Sequence, residues 1–251
     1  MSTENQIVQT TEIQNGGAPN LVPRHIAVIP DGNRRWAKKR GLPTVAGHKE
    51  GVENFRRLLA ACADRGIQYV SFYAFSTENW KRSEEEVSGI MGLLEKYLKE
   101  ALRDIQNNHI RFCVFGDTTR LSPNLQKLCA ETMERSAKFT EVQVNFCINY
   151  GGRDEIIRAI KKYAAEVAAG ERSADSLTEA EFANYLDSAG VPDPELVIRP
   201  SGELRTSNFL AWQSAYSEYV FMDVLWPDFS NEDLDRAIEE YHRRNRRFGG
   251  V

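Results

Sequence analysis

Short apolar segments alternate with longer amphipathic segments along most of this chain, and this alternation restricts the fold more than any other feature. The segments HIAVI, IQYVSFYAF, IRFCVFG, VQVNFCIN, LVIRP and YVFMDVL are typical of buried strands. Helical periodicity separates them: it begins at about Gly47, returns over 83–105, 122–138, 153–169 and 178–188, and appears again from about Ser230. The alternation predicts an α/β fold with a mainly parallel central sheet and helices on both faces.

The predicted organisation is a short tail followed by one domain. A length of 251 residues suits a single α/β domain. Residues 1–20 are polar, so we predict a disordered N-terminal tail, with one folded domain over residues 21–251. At the start of the helix over 83–105, Ser83 and Glu86 resemble a capping box.

Composition excludes several classes of protein. No apolar run approaches the roughly 18 residues that span a bilayer, and the N-terminus lacks the basic start of a signal peptide, so we expect a cytoplasmic protein. The net charge of -4 does not favour nucleic acid as a partner. The four cysteines form no C-x-x-C pair, and we expect them to be small buried apolar residues in a reducing environment.

Four polar clusters follow predicted strands: DGNRRW, FSTENW, NYGGR and RPSGELR. In sheets of this kind ligands bind at the carboxyl ends of the strands. The clusters are therefore expected to meet at one edge of the sheet and to form the functional site.

The first cluster combines Asp31 and Gly32 with Arg34 and Arg35. A glycine turn followed by free backbone N–H groups suits an anion, and arginines can bind phosphate oxygens in pairs. An aspartate beside phosphate makes chemical sense with a cation between them, and Mg²⁺ is the usual one. An Asp-Gly turn with solvated arginines explains this cluster alone equally well.

The other clusters are also open to two interpretations. The segment 76–82 contains hydroxyls, an amide and cations that could bind a ligand. Alternatively, it only caps the helix that follows. The segment 199–208 places two arginines around a Gly-Ser turn, which suits a second phosphate or is an ordinary surface loop. His48 can donate to a phosphate or be structural, and Glu218 is a metal ligand only if it has a carboxylate partner such as Asp31.

Several common motifs are missing. The sequence contains no G-x-G-x-x-G, G-x-x-x-x-G-K-[ST], H-E-x-x-H or G-x-S-x-G, which disfavours dinucleotide, nucleotide triphosphate, zinc-protease and esterase functions. It also contains no D-D-x-x-D, the aspartate-rich clamp of all-helical trans-prenyl synthases.

Taken together, the motifs and their order resemble the cis-prenyltransferases, the undecaprenyl diphosphate synthase family. The resemblance runs from about Pro23 to Gly250, and its motifs are HIAVIPDGNRRWAKKRGL, GHKEG, YAFSTENWKRS, NYGGRDEI, LVIRPSGELRTSNFLAWQSAYSEYVF, VLWPDF and RRFGG. It implies that residues 21–251 are a catalytic domain that forms a homodimer and contains an apolar product tunnel.

The resemblance also implies an activity. Family members condense isopentenyl diphosphate with an allylic diphosphate such as farnesyl diphosphate, with Mg²⁺, and make each new double bond cis. The implied product is a cis-polyprenyl diphosphate such as undecaprenyl diphosphate, the lipid carrier precursor for cell-wall synthesis. Because such a product passes into a bilayer, we expect a cytoplasmic enzyme that associates peripherally with the inner membrane face.

Family roles transfer to matching positions. Asp31 resembles the Mg²⁺-binding aspartate, Asn79 the residue implicated in proton removal, and Glu218 the second metal ligand, contributed near the dimer interface. The substrate-binding positions are Gly32, Asn33, Arg34, Arg35, Trp36 and His48 for the allylic diphosphate, Ser76, Thr77, Glu78, Trp80 and Arg82 on the next loop, and Arg199, Arg205, Thr206 and Ser207 for isopentenyl diphosphate.

The C-terminal segment and one substitution complete the resemblance. Arg247–Gly249 resembles a segment that can reach the partner's active site. Thr44 stands where many members have an arginine, and Arg40 is the candidate replacement for the phosphate contact of that arginine.

Three alternatives are considered. A relative could join or cyclise short prenyl units, and product analysis would distinguish it. A non-catalytic subunit should have lost the metal and arginine positions, which are all present here. A phosphatase built on Asp31 needs a second aspartate where Asn33 stands.

The product tunnel, if present, needs apolar walls. The candidates for its lining are Ile90, Met91, Leu94, Tyr97 and Leu98, with Val142 and Val144. Ordinary core packing explains most of these residues individually.

Overall fold

A six-stranded, fully parallel sheet forms the centre of the computed structural model, which describes residues 22–244 except the side chains of Gln106 and Asn108. The strand order is β3-β4-β2-β1-β5-β6. The strands are β1 His25–Val28, β2 Tyr69–Ser76, β3 Ile110–Phe115, β4 Val142–Tyr150, β5 Leu196–Pro200 and β6 Glu218–Met222. The predicted α/β class with a parallel sheet is confirmed.

Seven α-helices connect or follow these strands in the described part of the chain. They are α1 Asn33–Lys39, α2 Thr44–Asp64, α3 Glu84–Asn108, α4 Pro123–Ser136, α5 Gly152–Ala168, α6 Glu179–Ala183 and α7 Asn231–Arg243. Short 3-10 segments lie at Thr77–Lys81, Thr118–Arg120, Ala174–Ser176 and Trp226–Asp228.

The core has two sides because side chains alternate along each strand. Ile26 and Val28 of β1 join a large cluster with residues of α2, α3, α4 and α7. Ala27 and Ile29 join a separate cluster on the opposite face, covered by Phe209 of the loop after β5. Both faces of β1 are therefore buried, and the strand that precedes Asp31 is held from both sides.

Two helices differ from the prediction. The expected helix from about Gly47 begins earlier, at Thr44, because Pro43 with its fixed φ of -58° leads directly into it. The helix predicted over 178–188 ends at Ala183. Asn184 follows, and its side chain donates to the carbonyl of Ala180, a local bond that competes with helix continuation.

The predicted capping box at Ser83 is only half formed. Ser83 Oγ accepts the backbone N–H of Glu86, as predicted. The Glu86 carboxylate instead contacts His48 and Arg82. A reciprocal box forms at Ser76 and Asn79, which begins the 3-10 segment after β2.

Other sequence expectations divide between confirmed and untested. Cys62, Cys129 and Cys147 are buried free thiols, as predicted, but the prediction was wrong for Cys113, which is only half-buried. Within residues 22–244, no helix is both long enough and apolar enough to cross a bilayer. The predicted tail over residues 1–20 and the Arg247–Gly249 segment lie outside the described residues.

Candidate functional site

The polar clusters meet at the carboxyl edge of the sheet because their strands are neighbours. Strand β1 lies between β2 and β5, and β4 lies on the far side of β2. The segments after β1, β2 and β5 consequently surround a common space. This confirms the predicted convergence.

Two adjoining cavities occupy this edge. The first has a volume of about 790 Å³, and the second about 560 Å³. Both are lined by Pro30, Asp31, Tyr73, Asn79, Arg82 and Arg205. The first cavity adds Gly32, Asn33, Arg34, Arg35, Lys38, Thr44, His48 and Glu203, and the second adds Ser76, Glu78, Arg199, Ser207 and Asn208.

Two glycines allow the loop after β1 to take its position. Gly32 has φ 113°, which other residues rarely adopt, and it precedes α1 directly. Gly47 of α2 lies against Asn33, and an added Cβ atom there would come within 2.1 Å of the Asn33 carbonyl oxygen. The start of α1 is therefore packed backbone-to-backbone on α2.

Asp31 is bound to a buried arginine. Nη2 of Arg199 donates to Oδ2 of Asp31 over 2.8 Å, and Arg199 is only 3% exposed. Burial alone would raise the pKa of Asp31, but the hydrogen bond and charge of Arg199, helped by Arg35, hold it below its usual value. Asp31 is consequently an ionised carboxylate at neutral pH.

Arg199 also organises the loop that follows β5. Its Nη1 donates to Ser207 Oγ over 2.9 Å and to the carbonyl of Arg205. Ser207 and Asn208 both have positive φ, at 52° and 65°. Consecutive non-glycine residues in this region are strained and are found where a site depends on the geometry.

The same loop is tied to the segment after β2. Asn208 Nδ2 donates to Glu78 Oε1 over 3.1 Å, and the Asn208 side-chain oxygen accepts the backbone N–H of Arg153. Three of the four polar clusters are thereby connected through Asn208.

A second charged group lies on the other side of the first cavity. Glu86 is 8% exposed, and its Oε1 lies 2.8 Å from Arg82 Nη1 and 3.1 Å from His48 Nε2. Its Oε2 lies 3.8 Å from Arg34 Nε. Burial lowers the pKa of His48 and would raise that of Glu86, but His48, Arg82 and Arg34 together hold the pKa of Glu86 below its usual value. One carboxylate thus holds three predicted phosphate-binding side chains.

Two buried polar atoms in the site have no hydrogen-bond partner within the described chain. They are Nε of Arg199 and Oδ1 of Asn33. Buried polar groups are nearly always paired, so unpaired ones beside a cavity are expected to contact a ligand or water.

Asn79 lies between the two cavities. Its Oδ1 accepts the backbone N–H of Ser76 over 3.0 Å, which fixes the orientation of the amide. With Oδ1 occupied, its amide N–H groups are the part of the side chain available to a ligand. Asn79 can therefore orient an acceptor oxygen, and as an amide it is a poor base.

Four predicted substrate-binding residues do not line either cavity: Trp36, Thr77, Trp80 and Thr206. Trp36 donates to Asp228 over 2.6 Å and packs under the guanidinium of Arg40, at 4.2 Å. Trp80 donates to Asn149 and packs against Phe75. The two indoles therefore pack behind the segments after β1 and β2 and stabilise them without lining the cavities. Arg40 also binds Asp228, so the suggestion that it replaces an arginine at Thr44 is not supported.

Glu218 lies at the opposite end of the sheet from Asp31. It begins β6 level with Leu196, which in turn pairs with Ile26. At about 3.3 Å per residue, Asp31 lies about 16 Å further along the strand direction. Glu218 instead forms an ion pair with Arg244 at 2.9 Å. Within one chain the two carboxylates do not share a metal site, and a contribution of Glu218 from a second copy stays a prediction.

The donor set at Asp31 fits Mg²⁺ in a site that the substrate completes. Among residues 22–244, no three His, Cys, Asp or Glu side chains converge as a metal cluster. Mg²⁺ in phosphate-binding sites commonly takes one or two carboxylates and completes its coordination with phosphates and water. Asp31 lines the first cavity, and its Oδ1 lies 3.7 Å from Arg35 Nη2, beyond hydrogen-bond distance.

Glu86 and Asn208 are among the residues of the site that the sequence analysis did not assign to it. Glu86 was interpreted only as a capping residue, and the proximity of His48 and Arg82 was not visible in the sequence. Asn208 belongs to a motif that the sequence analysis identified, and its position next to Ser207 was the available signal.

An apolar cavity of about 80 Å³ lies beneath the first cavity, between α2, α3 and the sheet. The two cavities share Pro30, Asn33, His48, Ala74 and Ile90. Of the predicted tunnel residues, Ile90, Leu94 and Tyr97 line this cavity, whereas Leu98 and Val144 are part of the core. The site thus joins charged surfaces to an apolar recess.

Comparison with known proteins agrees with this arrangement. A family model described as putative undecaprenyl diphosphate synthase matches residues 29–249. An isoprenyl transferase of Clostridium perfringens is 46% identical over 230 residues, which is 92% of this chain and 91% of the relative. One from Brucella abortus is 47% identical over 229 residues, 91% of this chain and 90% of the relative.

Two solved structures have the same fold. Lavandulyl diphosphate synthase from Lavandula x intermedia, in complex with dimethylallyl diphosphate, superposes with a TM-score of 0.88 at 35% identity, over 91% of this chain and 99% of that one. A probable undecaprenyl diphosphate synthase from Campylobacter jejuni gives a TM-score of 0.75 at 33% identity, with the same coverage. The chain belongs to the undecaprenyl diphosphate synthase family and is an isoprenyl transferase.

Proposed function

We propose that this protein condenses isopentenyl diphosphate onto an allylic diphosphate, with farnesyl diphosphate as the primer, and forms a cis-polyprenyl diphosphate such as undecaprenyl diphosphate. The observation that carries the proposal is the arrangement of two arginine-lined cavities that share Asp31, with an apolar cavity leading from the first. Two diphosphates suit the arginine-lined cavities, and the apolar cavity receives the start of the hydrocarbon chain of the allylic substrate.

The position of the apolar cavity indicates which substrate binds in which of the two arginine-lined cavities. The allylic substrate carries the longer hydrocarbon, so its diphosphate belongs in the first cavity, with Arg34, Arg35 and Arg82. Isopentenyl diphosphate then occupies the second cavity, near Arg205 and Ser207. This order brings the two reacting carbons together beside Asp31 and Asn79.

The chemistry needs positive charge around the departing diphosphate. As the allylic C–O bond breaks, negative charge grows on the diphosphate while positive charge grows on carbon. The guanidinium groups of the first cavity stabilise that negative charge where it develops. Mg²⁺, held by Asp31 and the substrate phosphates, would supply additional charge stabilisation there.

The last step is removal of a proton from the isopentenyl carbon. Asn79 holds its amide in place through Ser76, so it can orient an acceptor oxygen beside the reacting carbon. An oxygen of the departing diphosphate, or the ionised carboxylate of Asp31, is the stronger base and takes the proton.

A second candidate is the joining of short prenyl units. The apolar cavity of about 80 Å³ is small, and the relative from Lavandula x intermedia is a lavandulyl diphosphate synthase. Short products of branched or cyclic structure would favour this candidate over elongation.

The proposal includes a homodimer at a membrane surface. A second copy would be required for Glu218 to approach the metal site, because the two carboxylates are far apart within one chain. The segment after Gly32 is rich in Arg and Lys, and near the first cavity Leu42 and Leu204 are 44% and 77% exposed. Basic groups with exposed leucines suit the anionic face of a membrane from the cytoplasmic side.

The test is incubation with labelled isopentenyl diphosphate, Mg²⁺, and either farnesyl or dimethylallyl diphosphate. Chain length and double-bond geometry of the extracted lipid identify the reaction. A long cis-polyprenyl product from farnesyl diphosphate is expected. Absence of any lipid from either primer, with a folded protein, would overturn the proposal.

A further inference from the structure

One of the four polar clusters, NYGGR at residues 149–153, lines neither of the arginine-lined cavities. It includes the last residues of β4 and the first residues of α5, and β4 is the neighbour of β2 in the sheet. Because neighbouring parallel strands end at the same edge, the cluster lies beside the segment after β2, which carries Asn79. The contacts between the cluster and that segment therefore indicate what the cluster does.

Asn149 uses both ends of its side-chain amide inside the protein. It is 2% exposed, its Oδ1 accepts the indole N–H of Trp80 over 2.7 Å, and its Nδ2 donates to the carbonyl of Asp117 over 2.7 Å. An indole can only donate and a carbonyl can only accept, so these partners determine which way the amide is turned. Its φ of 47° is one that asparagine adopts more readily than most other residues. Asn149 thus joins the segments after β2 and β3 to the end of β4.

The indole of Trp80 is contacted from three directions. Its N–H is bound by Asn149, the guanidinium of Arg120 lies 4.7 Å from the ring centroid, and the Phe75 ring meets it at 5.0 Å and an angle of 75°. An indole has a single hydrogen-bond donor, and Asn149 occupies it. Of these three contacts, only the hydrogen bond to Asn149 fixes where the indole N–H points.

The position of Asn79 depends on the turn that carries it. The hydrogen bond from the Ser76 N–H orients the Asn79 amide within that turn, but it does not attach the turn to the sheet beneath. Trp80 is the next residue along the chain, so a shift of its indole is transmitted directly to Asn79. Misplacement of a reacting group by about 1 Å can lower a rate by about a hundredfold. The bond between Trp80 and Asn149 is therefore placed to influence the reaction at Asn79.

We propose that Asn149 is a positioning residue for Asn79 and that it acts through the indole of Trp80. The inference rests on the proposed role of Asn79, which is to orient an acceptor oxygen beside the reacting carbon. Without Asn149 the turn can shift, so the reaction slows while the arginines still bind both diphosphates. A purely structural Asn149 would instead affect the stability of the protein and leave the rate of the folded enzyme unchanged.

The experiment is a double-mutant cycle between the two partners of this bond. Asn149→Gly removes the amide and suits the φ of 47°, so the backbone is not strained. Trp80→Phe keeps an aromatic ring for Phe75 and Arg120 and removes the N–H. The matched control is Tyr163→Phe, which removes the hydroxyl that donates to the carbonyl of Ser173 over 2.7 Å, towards the far end of α5.

The rate of the first addition to farnesyl diphosphate is measured in single turnover with labelled isopentenyl diphosphate. Asn149→Gly and Trp80→Phe are each expected to lower the maximal rate by about tenfold. The isopentenyl diphosphate concentration that gives half of that rate should change by less than about threefold. The double variant should also lose about tenfold rather than about a hundredfold, because both substitutions break the same connection. Tyr163→Phe should keep the rate of the unsubstituted protein.

A second measurement follows the indole itself and does not depend on activity. The chain has 4 tryptophans, and labelling with 5-fluorotryptophan gives each a fluorine resonance. The resonance of Trp80 is the one missing from Trp80→Phe. It is expected to move or broaden in Asn149→Gly and to stay in place in Tyr163→Phe. An unmoved resonance in Asn149→Gly would show that Asn149 does not orient the indole, and would overturn the inference.

The outcomes separate this inference from the proposed function. An undiminished rate in Asn149→Gly, or a loss of about a hundredfold in the double variant, overturns the inference alone, since the unsubstituted protein still forms lipid. A rate loss that also appears in Tyr163→Phe overturns it as well, because general destabilisation would then explain the effect. No lipid from the unsubstituted protein overturns the proposed function and the inference with it.

Discussion

Nη2 of Arg199 donates to Oδ2 of Asp31 over 2.8 Å, which joins the charged residues at the ends of the neighbouring strands β5 and β1. Arg199 is nearly inaccessible, and its other amino group binds Ser207. A single guanidinium thus positions both Asp31, which the two cavities share, and Ser207 of the second cavity. Its planar shape is needed, because a lysine ammonium cannot span two partners in this way.

Arg199→Lys is expected to lower kcat/KM for isopentenyl diphosphate by about thirtyfold, corresponding to about 2 kcal/mol for a disrupted buried charge pair. Steady-state kinetics at saturating primer measures the effect. Arg205→Lys is the comparison, since the Arg205 side chain is 60% exposed and can adjust. Equal losses in both variants would contradict the role given to the buried Arg199.

Asp31→Ala should reduce turnover by at least about a hundredfold, because it removes the carboxylate shared by both cavities while the strand remains packed on both faces. Product formation in Mg²⁺ is measured beside a thermal unfolding curve. Near-normal turnover by a well-folded variant would show that the carboxylate is not required.

Glu86→Gln should raise the KM for the allylic diphosphate by about tenfold with a smaller effect on kcat, since His48, Arg82 and Arg34 lose the charge that holds them together. Glu84→Gln, at an exposed position in the same turn of α3, is the control. If the two variants had the same KM, the carboxylate of Glu86 would have no positioning role.

His25 predicts a pH dependence of stability. Its Nδ1 lies 2.6 Å from the Pro192 carbonyl, which can only accept, so Nδ1 carries the proton and Nε2 accepts from Ser71. Burial lowers the pKa of His25 from 6.5 to about 4. The unfolded chain therefore binds the proton first as pH falls.

Stability from neutral His25 is complete above pH 6.5 and is lost as pH falls towards about 4, by up to about 3 kcal/mol. Urea unfolding between pH 4 and 7 measures it, with His25→Gln expected to flatten that part of the profile.

If the protein associates with a membrane as proposed, Lys39 should contribute to its binding to anionic lipid. Lys39→Glu, on the exposed side of α1, should weaken binding to anionic vesicles by about fivefold or more, at about 1 kcal/mol per basic residue. Vesicle co-sedimentation measures it, with Lys162→Glu on α5 as the control. Binding that the Lys39 substitution leaves unaltered would place the membrane-facing surface elsewhere.

The features that could be predicted from the sequence are those that depend on local residue patterns and on where the strands end. Alternation predicted the parallel sheet, and the polar residues after β1, β2 and β5 were expected to converge because parallel strands end at one edge. Trp36 and Glu86 show where this reasoning stops. Both lie near the site in sequence, but which way each side chain turns depends on Asp228 and His48, whose positions only the folded chain fixes.

Glu218 illustrates the same limit at longer range. The motif supplied a carboxylate of the right type, but register decides that it lies at the amino end of β6 while Asp31 lies beyond the carboxyl end of β1. The size of the apolar cavity was also unpredictable, because it depends on how Phe55, Tyr97 and Phe146 from three different elements pack together.

The contact between Gly47 and Asn33 has a consequence for how this enzyme can change over evolution. Because the backbones of α1 and α2 touch at this contact without side chains between them, a displacement of α2 is expected to move the start of α1 with it. Helix α2 also forms a wall of the apolar cavity that lies beneath the first cavity. Under the proposed function, a mutation that tilts α2 to enlarge the apolar cavity is therefore expected to displace the loop after β1 as well, so that product length and primer affinity change together.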